Sequence, residues 1–239
     1  LMLAGIREIA MITTPHDQEQ FKRSLGDGSQ WGISLTYIVQ PSPDGLAQAY
    51  ILAEDFLDGA PSAMVLGDNI FFGHGLPELL ADADQHDTGG TVFGYHVADP
   101  ERYGVVGFDQ AGMAQTIIEK PSEPASNYAV TGLYFLDADA PKLARQVQPS
   151  DRGELEITSL LEMYLSRDAL RVKRMGRGYA WLDTGTHASL LDAGNFVRTL
   201  TQRQGLQTGC LEEIAFEQGW ITDEDLAQRA ELFEKNEYG

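Results

Sequence analysis

Short apolar stretches alternate with amphipathic stretches over residues 1–90. The apolar stretches predict β-strands and the amphipathic ones predict helices. The predicted strands cover residues 8–13, 35–39 and 63–66, and the predicted helices cover residues 17–25, 45–57 and 76–85. Strands that alternate with helices at this spacing are typical of right-handed βαβ units. The pattern therefore predicts an α/β fold, a three-layer α/β/α sandwich with a Rossmann-like, mostly parallel but mixed sheet.

The pattern changes after residue 90. Strands there follow one another more closely, and a hairpin is predicted over residues 105–119, with its turn at 109–112. The remaining predicted strands cover residues 91–96, 132–136, 170–175 and 179–182, and the predicted helices cover 140–147, 155–166, 186–203, 212–218 and a segment that begins with the capping box at Thr222. We expect a single domain over residues 1–239, with an α/β core to residue 185 and a helical part from 186.

Composition excludes several classes of protein. The chain has 239 residues, 43% of them hydrophobic, which excludes a disordered chain. Its net charge of −19 argues against a nucleic-acid or anionic-membrane surface. A single cysteine fits a reducing compartment, and the sequence shows neither a secretory leader nor an apolar run of the roughly 18 residues that a membrane span needs. Cytoplasm is the expected location.

Two aspartates follow predicted strands. Asp68 comes after the apolar run 63–66, and Asp183 after the strand 179–182. Ligands of open α/β sheets bind outside the carboxyl ends of strands, and Mg²⁺ is usually held by one or two carboxylates together with substrate phosphates. We therefore expect the two carboxylates to converge on one Mg²⁺. A capping or turn role for these residues remains the alternative.

Two further stretches offer groups that could contact a ligand at strand ends. Gln40 and Gly45 lie in a loop fixed by two prolines, where an amide and exposed backbone groups can pair with a base edge. Gly104 allows close approach of a ligand to the backbone beside Tyr103. In each case, a turn with no ligand is the alternative.

Charged residues at two places could face a ligand. Glu119 and Lys120 end a predicted strand, so both can face one ligand only if the strand stops there. Arg152 precedes a predicted helix start, where a guanidinium and free helix N–H groups can converge on an anion. Plain solvent exposure and an ordinary helix start are the alternatives.

The motifs in chain order resemble those of the glucose-1-phosphate thymidylyltransferases, the dTDP-glucose pyrophosphorylases of the sugar-nucleotidyltransferase superfamily. The likeness runs over essentially the whole chain. The most specific runs are Q-P-S-P-D-G-L-A-Q-A, L-G-D-N-I-F-F-G-H, D-P-E-R-Y-G-V-V, E-K-P, N-Y-A-V-T-G-L-Y, R-G-E-L-E-I-T and G-R-G-Y-A-W-L-D-T-G-T-H. The resemblance implies a transferase that forms dTDP-glucose and pyrophosphate from dTTP and glucose 1-phosphate with Mg²⁺.

The resemblance also implies residue roles. These are thymine recognition by Gln40 and Gly45; glucose binding by Tyr103, Gly104, Glu119 and Val130, with Trp181 also at the substrate; phosphate binding by Lys120 and Arg152; Mg²⁺ binding by Asp68 and Asp183; and a second, regulatory nucleotide site near Phe72, Gly73, Glu212 and Glu213. Lys120, Arg152 and the two aspartates would be catalytic. The family resemblance further implies a homotetramer that binds dTDP-sugars.

One departure from the family pattern gives rise to an alternative. The family begins with a strand and a G-G-x-G-T-R-L loop that holds the triphosphate, and no stretch of this sequence matches them. We therefore expect an incomplete chain, with an inactive homologue that binds nucleotide sugar or only oligomerises as the alternative function. A metal-dependent glycosyltransferase is a further alternative, although it usually carries an Asp-x-Asp pair that Gly67-Asp68-Asn69 lacks.

Overall fold

The computed structural model describes residues 1–236 and 238. Its strands are β1 Glu8–Thr13, β2 Ser34–Val39, β3 Ser62–Val65, β4 Asn69–Gly73, β5 Gly90–His96, β6 Gly104–Phe108, β7 Ala114–Glu119, β8 Tyr128–Leu136, β9 Leu170–Met175 and β10 Tyr179–Asp183. Its α-helices are α1 Gln18–Leu25, α2 Ala47–Leu52, α3 Glu54–Leu57, α4 Leu76–Asp84, α5 Ala140–Ala144, α6 Ile157–Leu165, α7 His187–Gln204, α8 Leu211–Glu217 and α9 Asp223–Leu232. Strand β4 is the one strand that the sequence pattern did not predict. Within this described part, no helix is both long and apolar enough to cross a bilayer.

The chain divides into two compact units. The central unit is Gln40–Leu182, and the terminal unit combines Leu1–Val39 with the described residues from Asp183 onward. The predicted single domain with a helical part from residue 186 stays a prediction. The structural division falls three residues earlier than the predicted start of the helical part, at the last residue of β10.

The sheet of the central unit is arranged around β8. Its order is β7-β6-β8-β5-β9, and β3 also pairs with β8. Eight of the nine residues of β8 are buried, which explains why its sequence, Y-A-V-T-G-L-Y-F-L, is apolar on both faces rather than alternating.

The α/β class is confirmed, but the predicted predominance of parallel pairs is wrong for the pairings whose register is described. Four are antiparallel, namely β3–β8, β5–β8, β6–β7 and β6–β8, and two are parallel, namely β1–β2 and β5–β9. Between β5 and β8 the chain has no crossover helix, and the tight turn between β6 and β7 can join only antiparallel neighbours. The β6–β7 hairpin closes through Asp109, whose Oδ1 accepts hydrogen bonds from the N–H groups of Ala111 (2.9 Å) and Met113 (2.8 Å).

Helix α6 packs one apolar face on this sheet. Ile157, Leu160, Leu161 and Tyr164 are buried and recur at the spacing of one helix face. Each such side chain contributes about 1.5–3 kcal/mol when fully buried. The hydroxyl of Tyr164 also donates a hydrogen bond to Asp137 Oδ1 at 2.7 Å. Because α6 is held this firmly, the loop before its first turn has a fixed place beside β7.

A buried carboxylate holds the terminal unit together. Glu212 accepts hydrogen bonds from Trp31 Nε1 (2.8 Å), Arg229 Nη2 (3.0 Å) and the Tyr238 hydroxyl (2.5 Å). Burial alone would raise its pKa, but the hydrogen bonds from Tyr238, Trp31 and Arg229 bring the pKa of Glu212 below its ordinary value. Glu212 thus ties α8 to α9 and to the turn that precedes β2.

We predict that Glu212→Gln lowers the free energy of unfolding by about 1–3 kcal/mol at pH 7, because the charged partner of Arg229 is lost in a buried site. A carboxylate with a lowered folded pKa stabilises the fold above its unfolded pKa, and this contribution disappears as the pH falls through the folded pKa. The difference from wild type should therefore narrow in acid. Urea denaturation over a pH series measures it, with Glu213→Gln as the matched control, expected to stay within about 0.5 kcal/mol of wild type. Equal stability of both variants would contradict the role of Glu212.

Candidate active site

The end of β7 directs two charged side chains into one pocket. The strand stops at Glu119, and Lys120 adopts a left-handed backbone with φ of 41°. Its N–H donates to the carbonyl of Tyr103 at 3.0 Å, which fixes this turn. The ammonium Nζ of Lys120 then lies 3.9 Å from Glu119 Oε1. The strand therefore ends where the sequence argument required it to end.

Gly104 begins β6 directly opposite Glu119. A Cβ at this position would lie 2.7 Å from Thr158 Cγ2 and 3.4 Å from Glu119 Oε2, so no larger residue fits without displacing its neighbours. The same Cβ would lie 3.9 Å from Val130 Cβ. Three residues that the resemblance assigns to glucose are therefore neighbours here, together with Thr158, which the sequence analysis did not single out.

Arg152 lies in the loop before α6 and contacts three carboxylates. Its Nη2 donates to both carboxylate oxygens of Glu156, at 2.8 and 2.9 Å, and its Nε to Oε1 at 3.2 Å. The same Nη2 is 3.5 Å from Glu119 Oε1 and 3.5 Å from Glu154 Oε2. The Arg152 guanidinium thus joins the α6 end of the site to the β7 end.

These groups surround an open pocket of about 330 Å³. Its lining residues are Ile117, Ile118, Glu119, Lys120, Ser150, Asp151, Arg152, Glu156, Thr158, Ser159 and Glu162. Burial, and then the charge of Glu156, raise the pKa of Glu119, while Lys120, Arg152 and a hydrogen bond with Thr158 act in the opposite direction. Two cations beside acceptor carboxylates can bind a ligand that carries both an anionic group and hydroxyl donors.

An asparagine joins Asp68 to the aromatic side of the site. Asn69 Nδ2 donates to Asp68 Oδ1 at 2.8 Å, and Asn69 Oδ1 accepts from Trp181 Nε1 (2.6 Å) and from the N–H of Gly132 (3.0 Å). The Trp181 ring lies 5.1 Å from the ring of Tyr103, centroid to centroid. Asn69 had no functional role in the sequence analysis, although its place directly after a strand-end aspartate was a usable signal.

The proline-rich loop after β2 is fixed by its own polar groups. Gln40 Nε2 donates to Gln48 Oε1 (2.7 Å) and to the carbonyl of Gly45 (3.3 Å). Gly45 has φ of 109°, and a Cβ there would lie 2.4 Å from the carbonyl oxygen of Leu155. Only glycine allows this approach, so the loop rests against the segment that leads into α6.

The two predicted metal ligands lie in different units. Asp183 belongs to the terminal unit, where its Oδ1 accepts from the N–H of Gly185 at 3.2 Å, and Asp68 belongs to the central unit. Their convergence on one metal stays a prediction. Across the described residues, no group of three or more His, Cys, Asp or Glu side chains is arranged to hold a metal. The exposed carboxylate of Asp68 nonetheless fits Mg²⁺, which accepts one or two carboxylates when substrate phosphates complete its coordination.

The regulatory assignment also spans both units and stays a prediction. Phe72 and Gly73 lie in β4, where a Cβ at Gly73 would meet the Tyr179 ring at 2.3 Å. Glu212 and Glu213 lie in α8. The Glu212 carboxylate is buried and already bonded within the terminal unit.

Comparisons with known proteins show the family. The sequence profile described as nucleotidyl transferase matches residues 1–199. A glucose-1-phosphate thymidylyltransferase of Xanthomonas campestris pv. campestris is 59% identical over 239 residues, all of this chain and 81% of that protein. One from Neisseria meningitidis serogroup A is 54% identical over the whole chain and 83% of its own length.

The chain belongs to the glucose-1-phosphate thymidylyltransferase family.

The fold of this family is also seen in a solved structure. A candidate glucose-1-phosphate thymidylyltransferase from Bacillus anthracis, crystallised in complex with a sucrose, superposes with a TM-score of 0.74 at 38% identity, over 82% of this chain and 78% of that one. Membership in the glucose-1-phosphate thymidylyltransferases does not favour the alternatives of a glycosyltransferase or an inactive homologue.

We predict that Lys120→Gly gives a more stable protein than Lys120→Ala, by about 1 kcal/mol. Both variants lose the ammonium group, but only glycine adopts a left-handed backbone without a steric cost of about 1–2 kcal/mol. Chemical denaturation of the two variants compares their free energies of unfolding, and the shared loss of the side chain cancels. Equal stabilities would show that the backbone at Lys120 carries no strain.

Proposed function

We propose that this chain forms dTDP-glucose and pyrophosphate from dTTP and glucose 1-phosphate. The observation that carries the proposal is the pocket lined by Glu119, Lys120 and Arg152. Gly104 lies directly beside Glu119, and Val130 lies beside Gly104. A sugar phosphate needs acceptors for its hydroxyl groups and cations for its phosphate, and both lie side by side here. The names of the relatives at 54–59% identity support the same reaction.

The chemistry requires alignment rather than a general base. The second pKa of a phosphate monoester is near ~6, so the attacking phosphate oxygen of glucose 1-phosphate is already charged at pH 7. It attacks the α-phosphorus of dTTP, and pyrophosphate leaves. Two anions must therefore be brought together, which places the demand on positioning and charge neutralisation.

Each residue has a proposed part in that alignment. Lys120 and Arg152 hold the phosphate of glucose 1-phosphate. Glu119 accepts hydrogen bonds from glucose hydroxyls, and its partial burial strengthens them because water is excluded. Gly104 and Val130 provide close backbone and apolar contact. The rings of Tyr103 and Trp181 contact each other and offer an aromatic surface to the substrate. Trp181 is hydrogen-bonded to Asn69, which in turn is hydrogen-bonded to Asp68.

A divalent metal would neutralise phosphate charge. We infer that it is Mg²⁺ and that Asp68 and Asp183 hold it with the substrate phosphates. Carboxylate oxygens are ligands that Mg²⁺ prefers, and two of them leave coordination positions for phosphate oxygens. We expect no Mg²⁺ to bind firmly without nucleotide.

Further properties of the chain are proposed on the resemblance and the composition. We infer a homotetramer regulated by dTDP-sugars through Phe72, Gly73, Glu212 and Glu213. We also infer a cytoplasmic location, since a single cysteine suits a reducing compartment.

The test is pyrophosphate release from dTTP and glucose 1-phosphate, followed with and without EDTA. We expect metal-dependent release, dTDP-glucose as the sugar product, and a loss of at least about 100-fold in Arg152→Ala. Arg145→Ala is the matched control, because Arg145 lies in the same unit and pairs with Glu54. Glucosyl transfer without pyrophosphate would favour a glycosyltransferase, and tight dTDP-glucose binding without turnover would favour the inactive homologue.

We predict that Gln40→Ala weakens binding of thymidine nucleotides about tenfold, because a base left without its partner in a desolvated site loses about 1–3 kcal/mol. Both described contacts of Gln40 use its Nε2, so the amide oxygen is the group that we assign to the thymine N3–H. Calorimetry with dTTP measures the loss, and Gln110→Ala, at the exposed hairpin tip, should bind as wild type does. Unchanged affinity in Gln40→Ala would remove Gln40 from the site.

A further inference from the structure

Glu156 is the most buried carboxylate of the pocket that contacts a cation. Its residue is 7% exposed, and it stands at the N-cap position of α6. Its Oε1 accepts from the Ser150 hydroxyl at 2.7 Å as well as from Arg152. A carboxylate fixed by a packed helix and by a second donor has little freedom to move, so it defines where the guanidinium lies.

The charge of Glu156 is unfavourable for a phosphate site. The pocket lining holds two cations, Lys120 and Arg152, against four carboxylates, Glu119, Asp151, Glu156 and Glu162. Each carboxylate repels a phosphate dianion. Electrostatic attraction to a phosphate therefore gives no reason for a buried carboxylate at this place, whereas the hydrogen bonds of Glu156 to Arg152 give a geometric reason.

The hydrogen bonds of Glu156 engage one side of the guanidinium. They use the Nε and Nη2 donors of Arg152, and the more distant contacts with Glu119 and Glu154 also use Nη2. Among the described residues, no hydrogen bond is made by Nη1. A guanidinium is planar, so a carboxylate that fixes its Nε–Nη2 side also fixes the direction of its Nη1–H bonds.

We propose that Glu156 is a positioning residue for the sugar phosphate: it holds the Nε–Nη2 side of Arg152, so that Nη1 is kept for the phosphate. This inference rests on the proposed function. An arginine side chain has several rotatable bonds, and it loses rotamer freedom when a ligand fixes it. Glu156 removes part of that freedom before the substrate binds, and this reduces the cost of binding.

The test is calorimetric titration of glucose 1-phosphate and, separately, of dTTP into wild type, Glu156→Gln and Glu154→Gln. Glutamine keeps the size of the side chain but places an NH₂ group against the guanidinium, so the hydrogen bonds from Nε and Nη2 of Arg152 can no longer both form. We expect Glu156→Gln to weaken glucose 1-phosphate about tenfold and to leave dTTP affinity unchanged. Glu154 touches the same Nη2 at 3.5 Å and has a side chain 39% exposed, so Glu154→Gln removes the same charge and should bind glucose 1-phosphate as tightly as wild type or more tightly.

The combination with Arg152→Lys separates positioning from a structural role. Lysine keeps the positive charge but has no planar fork, so Glu156→Gln should add no further loss in that background. The proposal would be overturned if Glu156→Gln lowered the affinity for glucose 1-phosphate further in the Arg152→Lys background, or if Glu156→Gln and Glu154→Gln lowered it equally. It would also be overturned if Glu156→Gln bound glucose 1-phosphate more tightly than wild type, or if wild type did not bind it. If Glu156→Gln does not fold, Arg152→Lys alone decides, and affinity equal to wild type would overturn the proposal.

Calorimetry measures the affinity for glucose 1-phosphate independently of catalytic turnover. A chain that releases no pyrophosphate but shows the expected pattern of affinities would contradict the proposed function only. A chain that releases pyrophosphate and shows the same Michaelis constant for glucose 1-phosphate in wild type and Glu156→Gln would contradict the role of Glu156 only.

Discussion

The burial of β8 is the constraint on which the central unit depends. Strands β3, β5 and β6 all pair with this one strand, so their positions follow from its position. The strand also carries two groups that shape the candidate site. Val130 adjoins Gly104, and the N–H of Gly132 donates to Asn69. A displacement of β8 would therefore disturb the proposed sugar-binding side of the pocket and the asparagine that is hydrogen-bonded to Asp68.

The pocket concentrates groups that do not favour folding. Lys120 has a backbone conformation that a side chain makes costly, and the pKa of Glu119 is raised because its ionised form is poorly solvated. With its folded pKa raised, Glu119 contributes stability only while it is protonated, so the contribution is lost as the pH rises through that pKa. The packing of the sheet and of α6 offsets these free-energy costs. Their presence at one place is typical of a site retained for binding rather than for stability.

Local sequence signals predicted much of the fold, and tertiary contacts explain what they missed. Strand Glu8–Thr13 and the capping box at Thr222 are confirmed, since periodicity and capping act over a few residues. Strand Asn69–Gly73 was missed, because five residues directly after a strand-end turn carry no independent period. In the candidate site, the position of Arg152 before a predicted helix start was enough to predict that its guanidinium could bind an anion. The sequence could not predict that Glu156 is its main partner, because which of three nearby carboxylates binds Arg152 most closely depends on their burial in the fold.

The contact of Gly45 with Leu155 joins the loop after β2 to the segment that precedes α6. The N–H of Leu155 donates to the carbonyl of Asp44 at 2.6 Å, and the N–H of Ala47 donates to the carbonyl of Leu155 at 3.0 Å. The loop proposed to read the base is thus hydrogen-bonded to the backbone three residues beyond Arg152, which is proposed to hold the sugar phosphate. A redesign of this loop for another nucleobase would therefore also shift the proposed phosphate site. Altered base preference is better sought through side chains at fixed backbone than through exchange of the whole loop.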